Sequence, residues 1–141
     1  MTEIAFHFNA PDKLAYACRL LRKAYGSDAK VVVVGPAHDL ASLDQALWTF
    51  SAVDFVPHSH AQEGGAQAAP IVLAAAANDA SAHSQVLLNL GDGVPEGFER
   101  FERLIEVVTL DDEDRRGARG RWKHYADRGY AITRHDLALK S

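Results

Sequence analysis

Four consecutive valines, Val31–Val34, closed by Gly35-Pro36, constrain this chain more than any other stretch. A strand with one wet face alternates apolar and polar residues. An unbroken β-branched run needs cover on both faces, the usual condition of a strand inside a parallel sheet. Around Lys30–Val34 the patterns alternate between strand and helix. Glu3–Phe8 places Ile4, Phe6 and Phe8 on one face and reads as a first strand. Pro11–Tyr25 repeats Leu14, Ala17, Cys18, Leu21 and Tyr25 at helical spacing, with Pro11 in a first-turn position and Gly26 as the stop. Asp39–Phe50 is a second amphipathic helix, through Leu40, Leu43, Leu47 and Phe50.

Further on, Val53–His58 reads as a short edge strand, where Pro57 costs no central ladder bond, and His60–Pro70 as a Gly/Ala/Gln-rich loop. Ile71–Ala75 and Gln85–Leu90 have strand length, although the alanines between them also favour helix. Gly91-Asp92-Gly93 marks a turn, and Pro95–Arg103 reads as a short helix started by Pro95. Leu104–Leu110 is a β-rich run, and Tyr130–Thr133 adds a final short strand. The alternation predicts one domain over residues 1–141, with an α/β fold in three layers: a largely parallel sheet with helices on both faces.

A chain of 141 residues can bury roughly 70% of its unfolded surface, so neither a metal nor a disulfide is needed to hold it. The single cysteine, Cys18, sits in a predicted helix as a small hydrophobe and suits a reducing compartment. The first residues, MTEIAFHFNA, lack the basic and apolar regions of a signal, and no run reaches the ~18 apolar residues of a membrane span; a cytoplasmic protein is expected. The formal charge of −4 disfavours general nucleic-acid binding, which rests on many Lys/Arg contacts to phosphate.

This kind of sheet often binds nucleotides at the carboxyl ends of its strands. The sequence, however, contains neither GxGxxG nor GxxxxGK[ST], and the first strand leads into Asn9-Ala10-Pro11-Asp12 without glycines to bring amides near phosphate. The expectation is a nucleotide-binding-like fold without nucleotide motifs, and no cofactor. Asp54, His58 and His60 are the nearest approach to a metal or acid/base cluster; they read better as surface residues. His7, His38, His83, His124 and His135 are scattered, and no catalytic spacing stands out, so no metal and no enzyme is expected.

The chain gathers its basic and aromatic residues between Asp111 and Tyr130. Arg115, Arg116, Arg119, Arg121, Lys123 and Arg128 follow four consecutive acids, with Trp122, Tyr125 and Tyr130 among them. The acids suit the first turn of a helix, with Asp111 as its cap. Helical geometry stacks Arg115, Arg119 and Trp122 along one side, with Lys123 close by. Between Arg115 and Arg128 the only acid is Asp127, so the positive face is largely uncompensated within its own helix. Gly117 and Gly120 cost about 1 kcal/mol each relative to alanine and predict an irregular helix start. Guanidinium forks beside an aromatic ring suit an acidic peptide with a hydrophobic end; a plain solvated face, or stacking of single-stranded nucleic acid, are the alternatives.

Ala46-Leu47-Trp48, then Phe55-Val56-Pro57-His58, the glycine-rich loop and Pro70, and finally Arg119-x-Arg121-Trp122-Lys123-x-Tyr125-x₃-Gly129-Tyr130 resemble the chi subunit family of bacterial DNA polymerase III. The resemblance implies a non-catalytic accessory subunit of the clamp-loader assembly. It further implies that one surface binds the psi subunit and another the acidic, phenylalanine-ending C-terminal tail of single-stranded DNA-binding protein. By matching position, Arg119 and Lys123 would meet the tail's acids or terminal carboxylate, and Trp122 would help form the apolar pocket. Arg115 falls where the family also has a basic residue. Trp48 and Phe55, from the other matched block, would line or support the same site, and Tyr125 completes the candidate set. The sequence departs from the family in Trp122, where tyrosine is common, in Gly120, and in a shorter connection carrying Asp111–Asp114, which would repel an acidic tail if they faced the site. A direct single-stranded nucleic-acid binding module is the first alternative, and a nucleotide-binding enzyme the second.

Overall fold

The computed structural model describes residues 1–49, 56–61, 69–76 and 83–139. Among these residues seven strands form one sheet: β1 (Glu3–Ala10), β2 (Val31–Val34), β3 (His58–His60), β4 (Ile71–Ala74), β5 (Val86–Asn89), β6 (Arg103–Thr109) and β7 (Ile132–Asp136). Their spatial order is β3-β4-β2-β5-β6-β1-β7, and every pairing is parallel. The helices are α1 (Lys13–Gly26), α2 (Ala37–Thr49) and α3 (Asp112–Asp127). The sheet is thus wholly parallel where the sequence reading has it largely so, and the α/β expectation holds.

The valine run behaves as its composition requires. Val31 and Val33 pack with Leu21, Leu40, Leu43 and Leu47 on the face covered by α1 and α2, while Val32 and Val34 pack with Phe98, Leu104, Ala118 and Tyr125 on the α3 face. β4 and β6 alternate in the same way: Ile71, Leu73, Ile105 and Val107 face one layer, and Val72, Leu104 and Val108 the other. This period of two puts Glu106 on the α3 face, fully buried.

Local differences from the sequence reading have local causes. Helix α1 begins after Asp12, whose side chain accepts the Ala15 N–H at 2.9 Å, so Pro11 precedes the cap instead of occupying the first turn. Pro95–Arg103 makes only a 3₁₀ turn at Phe98–Arg100. Gly97, in the left-handed region at φ 85°, interrupts any helix from Pro95, and Phe101 is already extended. β7 runs to Asp136, beyond the expected Thr133, because Arg134, His135 and Asp136 keep register with Phe6, His7 and Phe8 of β1. Helix α3 runs unbroken through Gly117 and Gly120 and is capped by Asp111, whose carboxylate accepts the Asp114 N–H at 3.0 Å. Of the expected edge strand Val53–His58, residues 53–55 lie outside the described residues, as does Phe50; the strand at that edge is His58–His60.

Candidate functional site

β1 and β6 end side by side, and at that point β1 carries an irregularity in its pairing between His7 and Ala10. Asn9 lies there in the left-handed region (φ 65°), a conformation asparagine tolerates better than most residues. Its amide bridges two elements, accepting from Arg115 Nη2 at 2.9 Å and donating to Asp136 Oδ1 at 2.8 Å. The start of α3 is thereby fixed against the end of β7.

One acid of the first turn of α3, Asp114, is neutralised from outside the helix. Asp114 accepts from the Thr109 N–H (2.8 Å), the Thr109 hydroxyl (2.9 Å) and Lys13 Nζ (2.8 Å). Burial works to raise the Asp114 pKa, but the Lys13 ammonium and the Thr109 donors outweigh it and hold the carboxyl below its ordinary value. A depressed native pKa stabilises the fold at pH above the ordinary aspartate value of about 3.9, and that contribution disappears as pH falls through the native value. Lys13→Met should therefore move the Asp114 titration, followed by carboxyl NMR, upward, and shift the acid limb of the stability curve to higher pH.

Between α3 and the ends of β1, β6 and β7 lies an open groove of about 680 Å³. Phe6, Phe8, Val108, Ala118 and Trp122 supply its apolar lining, and Asn9, Thr109, Arg115, Arg119 and Arg134 its polar lining. The Trp122 ring packs on Phe6 at 5.1 Å between centroids. Arg134 spans two rings, 5.3 Å from the Phe8 centroid and 5.7 Å from that of Trp122. Among the described residues no carboxylate lines the groove, and none forms an ion pair with Arg115, Arg119 or Arg134. The acids of the 111–114 run stay out of it: Asp114 is occupied by Lys13, and Glu113 pairs with Arg116 at 2.7 Å.

Three sequence candidates, Arg115, Arg119 and Trp122, meet in this groove. Lys123 is exposed and lies outside the lining. Tyr125, expected in the same site, is wholly buried and points into the core, donating to Glu106 Oε2 at 2.7 Å. Burial and the neighbouring carboxylate push its phenol pKa far above the ordinary value. Arg121, counted with the positive face at the sequence level, is also internal, with Nε 2.9 Å from Glu106 Oε1 and Nη1 2.9 Å from the Asp92 carbonyl. For Arg121 the counter-charge comes from Glu106 of β6 and not from α3 itself.

Trp48 belongs to a different place. It stands exposed at the end of α2, with its ring edge-on to His58 of β3 at 5.7 Å. β3 lies five strand positions from β1, roughly 24 Å at ~4.8 Å per strand, and α2 covers the opposite face of the sheet from α3. Parallel topology thus separates Trp48 from Arg115, Arg119 and Trp122, with which the sequence groups it. Phe55 and Asp54 lie outside the described residues. His58, read as a surface residue, has a buried side chain, with its ring nitrogens 2.8 Å from Asp44 Oδ1 and 2.7 Å from the Val56 carbonyl.

Sequence reasoning missed Arg134, Asn9 and Glu106 as site or supporting residues. Arg134 stands in a short strand remote in sequence from the basic stretch, and only the β1–β7 pairing brings it to the groove. Glu106 did leave a signal: a lone acid within Leu104–Leu110, a run apolar enough to be covered on both faces, requires a buried partner.

Residues 1–133 match the family described as DNA polymerase III chi subunit, HolC. This chain belongs to the DNA polymerase III chi subunit family. Among its chi relatives, the DNA polymerase III subunit chi of Pseudomonas aeruginosa is 31% identical over 126 residues, covering 89% of this chain and 87% of that protein. That of Escherichia coli K12 is 28% identical over 116 residues (82% and 79%), and that of Haemophilus influenzae 25% over 122 residues (86% and 85%). A chi subunit is an accessory subunit of DNA polymerase III, so the chain is a DNA replication protein. Among the described residues of this chi family member no helix is long and apolar enough to cross a membrane.

Proposed function

We propose that this chain is a non-catalytic adaptor of the clamp-loader assembly, binding the psi subunit on one surface and, in the α3–β7 groove, the acidic, phenylalanine-ending C-terminal tail of single-stranded DNA-binding protein. The observation that carries the tail assignment is a groove lined, among the described residues, by three arginines and three aromatic rings and by no carboxylate. Guanidinium groups pair with carboxylates through two parallel hydrogen bonds, and the rings offer an apolar seat for a terminal side chain. At about 680 Å³ the groove falls within the range of sites that enclose a small ligand or a few residues of peptide.

The rival is direct binding of single-stranded nucleic acid, since a stacking ring beside arginines also suits a base and its phosphates. Against it stand the short extent of the basic surface and the formal charge of −4. Titrations at physiological salt separate the two. Saturable binding of an acidic, Phe-terminated peptide with no comparable binding of a bare oligonucleotide is expected; tight binding of the bare oligonucleotide would support the rival. The adaptor works in the cytoplasm, a setting compatible with the free, buried Cys18.

A further inference from the structure

The arginines of the groove stand on two elements. Arg115 and Arg119 are one helical turn apart on α3, whereas Arg134 rises from the edge strand β7. Its register partner is Phe6, so its side chain leaves the sheet on the α3 face, alongside Phe6 and toward Trp122. The acid nearest along its own strand face, Asp136, is already engaged by the Asn9 amide at 2.8 Å and the Ala138 N–H at 3.0 Å. The guanidinium is held instead by the Phe8 and Trp122 rings. A planar cation pinned over two rings has less conformational freedom to lose on binding, and its N–H edges remain available to an anion.

We propose that Arg134 is a specificity-determining residue of this groove. It pairs with a carboxylate of the acidic segment other than the one that Arg119 holds, so the site reads two separate anionic groups and favours ligands carrying acids upstream of the terminal residue. The inference rests on the tail-binding reading above and adds to it a second contact, made from outside the basic helix.

The test is a matrix of titrations followed by fluorescence anisotropy. One axis is the unaltered protein, Arg134→Ala, Arg134→Lys and Arg119→Ala. The other is a short Asp-rich peptide ending in a free-carboxylate Phe, its single Asp→Asn relatives and its C-terminal amide. Arg134→Ala should weaken the parent peptide about tenfold, the size of one charge-assisted hydrogen-bonded contact. Arg134→Lys should recover only part, because an ammonium keeps the charge but not the flat stacking. One Asp→Asn peptide should lose affinity for the unaltered protein yet lose no more against Arg134→Ala, and a different peptide should show that pattern with Arg119→Ala. Binding of the parent peptide by Arg134→Ala within twofold of the unaltered protein would overturn the assignment, as would a loss identical for every peptide. Failure of the unaltered protein to bind the parent peptide at all would instead remove the tail-binding reading, and the Arg134 proposal with it.

Discussion

Glu106→Leu is expected to destabilise the fold by about 3–5 kcal/mol, the cost of leaving a buried guanidinium without its counter-charge. Arg121 is only 4% exposed and Glu106 is fully buried, so water cannot replace the missing partner without opening the α3 face. The carboxylate also accepts from the Tyr125 hydroxyl at 2.7 Å and from Asn89 Nδ2 at 3.0 Å. Asn89 in turn donates to the Gly93 carbonyl and accepts the Gly91 N–H, each at 3.0 Å, so the same group organises the turn after β5. Burial pushes the Glu106 pKa upward, opposed by Arg121 and by the hydrogen bonds from Asn89 and Tyr125. Thermal unfolding should show a fall in Tm of about 10 °C or more. Adding Arg121→Leu should return at least half of the loss, since replacing both members of a buried pair by apolar residues is far milder than removing one. A single variant within about 1 kcal/mol of the parent would refute the role given to this network, because a buried pair broken on one side costs more.

Binding should respond to substitutions according to where the structure places each side chain. Arg119→Ala removes a cation with no ion pair of its own among the described residues. It should weaken the acidic, Phe-terminated peptide by about ten- to a hundredfold, the span of a hydrogen bond to a charged group. Trp122→Ala removes the central ring of the groove and should cost about thirtyfold, as the loss of a buried aromatic anchor commonly does. Trp122→Phe, which keeps a ring against Phe6, should retain most of the affinity. Lys123→Ala and Trp48→Ala serve as positional controls: one side chain lies outside the groove lining, the other near the opposite edge of the sheet on the other face. Both should bind within about threefold of the unaltered protein, because an exposed charge outside the contact contributes little and Trp48 stands away from the groove. Raising the salt should weaken all complexes, and least the complex of Arg119→Ala, which has one charge contact fewer. If Trp48→Ala costs as much as Trp122→Ala, the groove is misassigned.

The fold was legible wherever burial dictates composition. The Val31–Val34 run, the alternation in Glu3–Phe8 and the helical repeats of Leu40, Leu43 and Leu47 each record a face that must be covered, and the structure covers them. Boundaries were less legible where one residue redirects the backbone, as Gly97 does by ending the expected Pro95–Arg103 helix after a single turn. In the groove, Arg115, Arg119 and Trp122 could be read together because helical spacing is a local property. Arg134 could not, since it joins them through the pairing of β7 with β1 across more than a hundred residues of chain. The same non-locality hides the inward turn of Tyr125 and Arg121: helical spacing sets Tyr125 three after Trp122 and four after Arg121, but only Glu106 on a distant strand explains why both turn inward.

The proposed adaptor would reach DNA through the tail of single-stranded DNA-binding protein. The most direct test of this claim is capture by immobilised protein of full-length single-stranded DNA-binding protein, compared with the same protein lacking its last few residues. Retention of the full-length form alone, lost on raising the salt and absent with Arg119→Ala, is the predicted result. Equal retention of the tail-less form would contradict the claim.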